Sequence, residues 1–120
     1  MPTIPEALAF AVQCQRAGRL QEAETVYRQI LAAEPRCVDA WHLLGLIARS
    51  RGRPEVAIDY IGRAIALHPN FAEALVHLGL AYRDRGDHFK AADCYRQALA
   101  LRPDLSEAHG NLGIFLSGQG

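Results

Sequence analysis

The sequence predicts an all-α protein, a superhelical stack of about seven helices arranged as antiparallel pairs. Apolar residues recur at three- and four-residue steps along consecutive segments, as they do in helices that bury one face. Glycines at positions 18, 52, 86 and 120 separate the segments, and prolines at positions 35, 69 and 103 close every second one. Within each set, successive positions are 34 residues apart, so the sequence repeats one structural unit of 34 residues several times.

The first predicted helix begins after a capping box. The Thr3 hydroxyl can accept from a free backbone N–H three residues on, and the Glu6 side chain can reach back to the cap. The helix is predicted from Ile4 to Ala17, and Gly18 turns the chain into a second helix predicted for residues 20–33.

The second predicted pair comprises helices at residues 38–51 and 54–67, and the third comprises helices at residues 72–85 and 88–101. Ser106 is predicted to cap a last helix, because serine is a favoured N-cap residue.

Small residues recur at the positions where the paired helices are expected to cross. Two antiparallel helices joined by a short turn pack closely only if small side chains lie at the crossing. The residues concerned are Gly45, Ala57 and Ala64 in the second pair and Gly79, Ala91 and Ala98 in the third.

Composition narrows the classes of function. The chain has 120 residues, half of them apolar, and its 13 basic residues balance 13 acidic ones. This balance argues against a nucleic-acid partner or an anionic membrane surface, and no apolar stretch reaches the length of a bilayer span. The N-terminus has neither a basic segment nor a continuous apolar one, so the expected compartment is the cytoplasm. The three cysteines form no CxxC motif and suit reduced thiols.

The repeated pattern closely resembles the tetratricopeptide repeat (TPR). Its second copy reads Trp41-x-x-Leu44-Gly45, and its third reads Leu78-Gly79-x-x-Tyr82. The first copy departs from the pattern, with Phe10-Ala11 in place of Leu-Gly and Ile30 in place of a small residue. The resemblance implies a right-handed superhelix, the TPR α-solenoid, in one domain. Its three repeats are at residues 4–37, 38–71 and 72–105, followed by a partial repeat or capping helix at 106–120.

The resemblance also implies where a partner binds. In TPR proteins the first helices of the repeats line a concave groove, which is reached from the second, fifth, sixth, ninth, twelfth and thirteenth positions of each repeat. Those positions predict an apolar floor and a cationic wall for an extended or helical peptide; the alternative is that they only pack between helices or face solvent. The candidate partner-binding residues are Leu8, Val12, Gln15, His42, Leu46, Arg49, Val76, His77, Leu80, Arg83, Asn111 and Ile114.

Two binding modes known in the TPR family find little support in these residues. The carboxylate clamp of chaperone-binding TPR domains needs lysine and asparagine at positions that here hold Leu8, Val12, Leu43, Glu73 and His77. The asparagine ladder of O-GlcNAc transferases is matched at the sixth position by Asn111 alone.

No motif for catalysis or metal binding is found in the sequence. There is no P-loop, GxGxxG, GxSxG or HExxH. His42 and His77 are expected to approach each other across adjacent first helices, but no Cys or carboxylate completes a metal-ligand set. No metal, no cofactor and no catalytic role are therefore expected.

The last helix offers a second candidate surface. His109, Leu112 and Leu116 occupy positions that a second helix covers in a complete repeat. They are predicted either to form a cap or to mediate self-association.

The leading functional hypothesis is a non-catalytic scaffold that holds a protein or peptide in its groove. One alternative is the N-terminal substrate-recognition part of a larger TPR-containing enzyme, such as a glycosyltransferase. The other alternative is a self-assembling TPR protein.

Overall fold

The seven predicted helices are present in the computed structural model, which describes residues 2–119. Gly120, the expected fourth turn glycine, lies outside the described residues. No described residue lies in a β-strand. The helices are α1 (Ile4–Arg16), α2 (Leu20–Ala33), α3 (Val38–Ser50), α4 (Pro54–Leu67), α5 (Ala72–Arg85), α6 (His88–Leu101) and α7 (Ser106–Gln119).

Most predicted helix ends are confirmed, and the exceptions have local causes. The Thr3 hydroxyl accepts the Glu6 N–H and the Glu6 carboxylate accepts the Thr3 N–H, as the capping box predicts. Helices α1 and α3 end one residue early, because Ala17 and Arg51 have already left helical geometry on the way into the glycine turn. Ser106 was wrongly predicted as the cap: it is the first helical residue of α7, and the carbonyl of Leu105 accepts the N–H of His109 in the first hydrogen bond of the helix.

The turns within the helix pairs require glycine. Gly18, Gly52 and Gly86 have φ angles of 80°, 74° and 96°, in the left-handed region that side chains with a Cβ disfavour. This confirms their predicted role in reversing the chain between the two helices of each repeat.

The helix crossings leave no room for a larger residue. A Cβ built on Gly45 would lie 2.4 Å from Cγ1 of Ile61, and one built on Gly79 would lie 2.5 Å from Cε1 of Tyr95. Helices α3 and α4, and likewise α5 and α6, therefore approach each other closely through these glycines. The predicted role of the two residues is confirmed.

Two of the links between repeats contain an equivalent hydrogen bond from a ring nitrogen to a proline carbonyl. The indole Nε1–H of Trp41 donates to the carbonyl of Pro35 at 2.8 Å, and Nε2 of His109 lies 2.7 Å from the carbonyl of Pro103. Because a carbonyl only accepts, Nε2 of His109 carries the proton in this contact. His109 thus takes the structural role of Trp41, two repeats further along the chain.

The helix pairs stack into an elongated molecule measuring 54 × 26 × 21 Å. Each helix packs on the next in order, and α3 also contacts α5 directly. This contact places the first helices of the repeats next to one another along one side, here called the inner face. Among residues 2–119, none of the helices is both long and apolar enough to cross a lipid bilayer.

Candidate functional site

The inner face contains an open apolar depression between α1 and α3. It has a volume of about 320 Å³. Half-buried apolar side chains form its floor, and Arg16 and Asp39 add opposite charges to its wall. The full lining is Leu8, Ala9, Val12, Gln13, Arg16, Asp39 and Leu43.

Gln15 is already engaged within the scaffold. Its side-chain oxygen accepts a hydrogen bond of 2.9 Å from the hydroxyl of Tyr27, which is fully buried in α2. Gln15 therefore orients a core tyrosine, and its side-chain oxygen is already engaged within the chain.

Two histidines meet between α3 and α5, as the sequence predicted. Nε2 of His42 lies 2.7 Å from Nδ1 of His77, and the rings stack with centroids 4.9 Å apart. The edge of Phe71 packs on the His42 ring at 4.8 Å. Nε2 of His77 faces a carboxylate oxygen of Glu107 at 3.9 Å. A carboxylate favours a proton on the facing nitrogen, so we assign His42 as the donor and Nδ1 of His77 as the acceptor.

Burial keeps this histidine pair neutral. The His42 side chain is 8% exposed, and burial together with the neighbouring His77 lowers the pKa of His42 to about 4. Burial also lowers the pKa of His77, although Glu107 opposes this effect. Charges facing the pair come from Glu73 on α5, Glu107 on α7 and Arg49 on α3.

The two candidate arginines differ in their surroundings. Nε of Arg49 donates to Oδ2 of Asp84 at 2.6 Å, which ties α3 to α5. Arg83, on α5, is half-buried. The predicted cationic wall is thus partly neutralised within the chain.

Three predicted groove residues are buried: Val76, Leu80 and, as described above, His42. Val76 has no exposed area and Leu80 is 8% exposed, because both belong to a core cluster that also contains Ala108 of α7. This cluster, formed by residues of α5, α6 and α7, removes Val76 from the inner face, so the prediction that Val76 contacts a partner is wrong. Leu80 and His42, each 8% exposed, keep little surface there, and their roles stay predictions. Leu46 stays half-buried on the inner face.

The last helix presents apolar side chains to solvent. Ile114 is 64% exposed and Leu116 is 52% exposed, whereas Asn111 is half-buried. Leu112 packs against the cluster formed by α5 and α6. The cap and self-association alternatives for His109, Leu112 and Leu116 both remain predictions.

Sequence reasoning missed several residues that shape the inner face. Phe71 was not predicted to take part, and Asp84, which stands at a thirteenth position, was not named as a candidate, although the repeat offered a signal. The paired residues His42 and His77, and likewise Arg49 and Asp84, stand 35 residues apart. A residue of one first helix thus contacts the residue one position further along in the next repeat. Comparing adjacent repeats with this one-residue offset would have predicted the Arg49–Asp84 pair.

A larger depression lies away from the inner face. It has a volume of about 730 Å³ and runs along α1 and α2 beside the exposed ring of Phe10. In the second repeat, residues of α2 cover the corresponding surface around Leu44 and Tyr60. The cavity that remains there has a volume of about 20 Å³. No group of three metal-ligating side chains occurs within the described part of the chain.

These features define a helical-repeat protein with an accessible inner face. Two family models identify the repeat: one described as a tetratricopeptide repeat matches residues 15–70, and one described as a TPR repeat matches residues 79–120. The chain belongs to the tetratricopeptide repeat family.

Solved structures support the same fold. A crystal structure of MamA superposes with a TM-score of 0.90 at 25% identity, covering 98% of this chain and 69% of MamA. A mutant of the Thermobaculum terrenum O-GlcNAc transferase superposes with a TM-score of 0.90 at 31% identity, covering 97% of this chain. The match spans 23% of the transferase chain. A search of curated protein sequences found no match.

Proposed function

We propose that this chain is a non-catalytic scaffold that binds a protein segment along its inner face. The observation that carries the proposal is the open depression between α1 and α3, where Leu8, Val12 and Leu43 leave apolar surface accessible on packed helices. Apolar concave surfaces with a few charges at their edges are typical of peptide-binding grooves. We also propose that residues 4–105 act as three repeats of one domain, completed by residues 106–120 as a partial repeat or a cap.

The charges at the depression define the chemistry of the segment. Arg16 lies in the last turn of α1, and Asp39 lies in the first turn of α3. An apolar side chain on the floor, an acidic group near Arg16 and a basic group near Asp39 would complement all three features. Together, these requirements describe an amphipathic segment of mixed charge.

Panning of a random peptide library against the folded protein tests this proposal. Leu43→Asp and Val12→Asp place a carboxylate on the floor of the depression and are expected to abolish selection of apolar peptides. Val56→Asp is the matched control, because Val56 is 38% exposed on α4 and lies outside the depression. Circular dichroism first establishes that each variant is folded. If both floor variants still bind the selected peptides, the proposal that a protein segment binds in the α1–α3 depression is rejected.

A second candidate function is favoured by the structural similarity to the O-GlcNAc transferase. On this hypothesis the chain is the substrate-recognition part of a larger enzyme, and its inner face presents the substrate. The natural reading frame tests this directly: a catalytic domain encoded downstream of Gly120 supports it, and a stop codon there rejects it.

Self-association through α7 is a third candidate, supported by the exposure of Ile114 and Leu116. Sedimentation at two concentrations is expected to show dimers that Leu116→Glu dissociates. A monomer mass at both concentrations, unchanged by the substitution, rejects this candidate.

A further inference from the structure

A depression with a volume of about 290 Å³ lies where α4, α5 and α6 meet. It is open to solvent and shares no lining residue with the inner-face depression between α1 and α3. Its lining combines apolar side chains of α4 and α5 with the ring of Tyr82 and with polar side chains at exposed positions of α6. The full lining is Ile65, Leu75, Leu78, Tyr82, Lys90, Asp93, Cys94 and Gln97.

The second repeat has an equivalent surface, and there it is nearly closed. Each residue of the second repeat precedes its equivalent in the third by 34 residues, and the cavity left beside Tyr60 has a volume of about 20 Å³. The rings of Trp41 and Tyr60 pack together with centroids 5.7 Å apart, and the guanidinium carbon of Arg63 lies 5.0 Å from the centroid of the Trp41 ring. The second repeat thus fills this surface with two aromatic rings of its own and a cation beside them.

The third repeat has smaller residues at four of the positions concerned. The replacements are Leu75 for Trp41, Cys94 for Tyr60, Gln97 for Arg63 and Gly62 for Arg28. One replacement acts in the opposite direction, because Tyr82 is larger than its equivalent, Ala48. The Tyr82 ring lines the depression without filling it. The open volume in the third repeat therefore lies where the second repeat holds aromatic rings.

The floor of this depression is apolar and uncharged. Leu75 and Cys94 are 4% and 5% exposed, and Ile65 and Leu78 are half-buried. Burial raises the pKa of the Cys94 thiol to about 11, so the thiol stays protonated and brings no charge. An apolar group that enters the depression therefore gains free energy by leaving water.

The edge of the depression offers contacts that only an aromatic ring can use. Nζ of Lys90 lies 5.6 Å from the centroid of the Tyr82 ring, which is the distance of a cation–π contact. A second ring that packs beside Tyr82 meets the same cation. Asp93, exposed on α6, provides an acceptor for the N–H of an indole or the O–H of a phenol. An aliphatic side chain would fill the floor but would use neither contact.

We propose that the depression between α4, α5 and α6 binds an aromatic side chain of a partner protein. The incoming ring takes the space that Trp41 and Tyr60 fill in the second repeat, and Lys90 lies beside it as Arg63 lies beside Trp41. The proposal rests on the scaffold function proposed above and adds a second contact outside the inner face.

Titration with N-acetyl-tryptophanamide tests the site without a protein partner. The NMR amide signals of the folded protein are followed, and saturable shifts are expected in α5 and α6 around the depression. N-acetyl-leucinamide is the matched probe and is expected to bind roughly fivefold more weakly, because it lacks the ring contacts. Equal binding of the two amides, or shifts confined to α1 and α3, would overturn the proposal.

Two variants restore residues of the second repeat and are expected to close the depression. Cys94→Tyr places a ring where Tyr60 has one and is expected to weaken binding of the tryptophan amide roughly tenfold. Gly62→Arg restores the equivalent of Arg28 at a position where a Cβ meets nothing within 4 Å, and it is expected to weaken binding roughly threefold. Val26→Tyr is the matched control, because it adds the same ring at the equivalent position of the first repeat and should leave binding intact.

Each remaining result has a definite meaning. Unchanged binding in Cys94→Tyr overturns the site, and Gly62→Arg decides in the same way if Cys94→Tyr does not fold. If a second copy of this chain is the occupant, the same amides shift with protein concentration before any probe is added, which overturns the assignment to a different protein. Leu43→Asp should bind the tryptophan amide as the wild type does, because Leu43 lines the other depression. Failure of this titration therefore leaves the peptide-panning test of the α1–α3 depression unaffected.

Discussion

The two halves of the inner face are built on the same repeat but present different surfaces. Between α1 and α3, the fifth and sixth positions hold Leu8 and Leu43, which line an open apolar depression. Between α3 and α5, the same positions hold His42 and His77, whose rings stack and join through a hydrogen bond. The scaffold thus fixes which positions meet, and the residues at those positions decide whether the surface is open to a partner or closed by internal contacts.

A second pair of positions follows the same division. At the twelfth and thirteenth positions, Arg49 of α3 bonds Asp84 of α5. The counterparts between α1 and α3 are Gln15 and Ser50, and both are occupied locally: Gln15 accepts from Tyr27, and the Ser50 hydroxyl donates to the carbonyl of Ile47. Polar contacts therefore tie the second and third repeats together across the inner face, whereas the first and second repeats meet there through apolar side chains.

The largest expected difference between the halves is their response to acid. The pKa of His42 falls from its unfolded value of 6.5 to about 4 in the folded protein, so the unfolded state binds more protons between these values. The stability from neutral His42 is fully present above pH 6.5 and is lost as the pH falls toward 4. The expected loss is about 3 kcal/mol. Urea unfolding at pH 7, 5.5 and 4.5 measures it.

A control variant gives both halves of the inner face the same pair of residues. His42→Leu with His77→Leu copies the Leu8–Leu43 pair into the α3–α5 half and is expected to remove most of the acid sensitivity between pH 4 and 6.5. Hydrogen exchange gives the local reading, because a repeat protein can open in part. Amides of α5 should lose protection before those of α1 as the pH falls. Equal acid sensitivity in the double variant would contradict the role of the histidines.

The next largest effect concerns the helix crossings behind each half. A Cβ on Gly79 meets the Tyr95 ring at 2.5 Å and the Ala91 carbonyl at 3.1 Å, whereas one on Gly45 meets the flexible Ile61 side chain. Because an aromatic ring within the core has little room to move, Gly79→Ala is expected to cost about 1 to 2 kcal/mol, and Gly45→Ala less. Thermal and urea unfolding compare the two variants.

Gly62→Ala is the matched control for these crossings. A Cβ on Gly62, in α4, meets nothing within 4 Å. The substitution gains helix propensity without crowding and is expected to stabilise the protein by about 0.5 to 1 kcal/mol. A stabilising Gly79→Ala would show that the α5–α6 crossing is looser than the structure indicates.

The sequence predicted the scaffold well because each scaffold residue meets one local physical requirement. Gly52 needs a positive φ and Gly79 needs space, and both requirements occur at equivalent positions of the second and third repeats. The inner face was harder to predict. Val76 looked like a groove residue from its position, but it is buried in a cluster with residues of α6 and with Ala108 of α7, so its exposure depends on helices other than its own. The Arg49–Asp84 bond depends on the offset between adjacent repeats, which no single repeat contains.

The smallest expected effect belongs to that Arg49–Asp84 bond. Both side chains are about a third exposed, 29% and 32%, so solvent screens most of their attraction. A double-mutant cycle with Arg49→Gln and Asp84→Asn is expected to give a coupling energy of about 0.5 kcal/mol, reduced by added salt. The exposed Arg96–Asp93 pair within α6 is the control and should couple more weakly, since its nitrogen and oxygen lie 3.5 Å apart. Equal coupling energies would mean that the bond between α3 and α5 adds nothing beyond an ordinary surface pair, and the polar closure of this half would then rest on the two histidines alone.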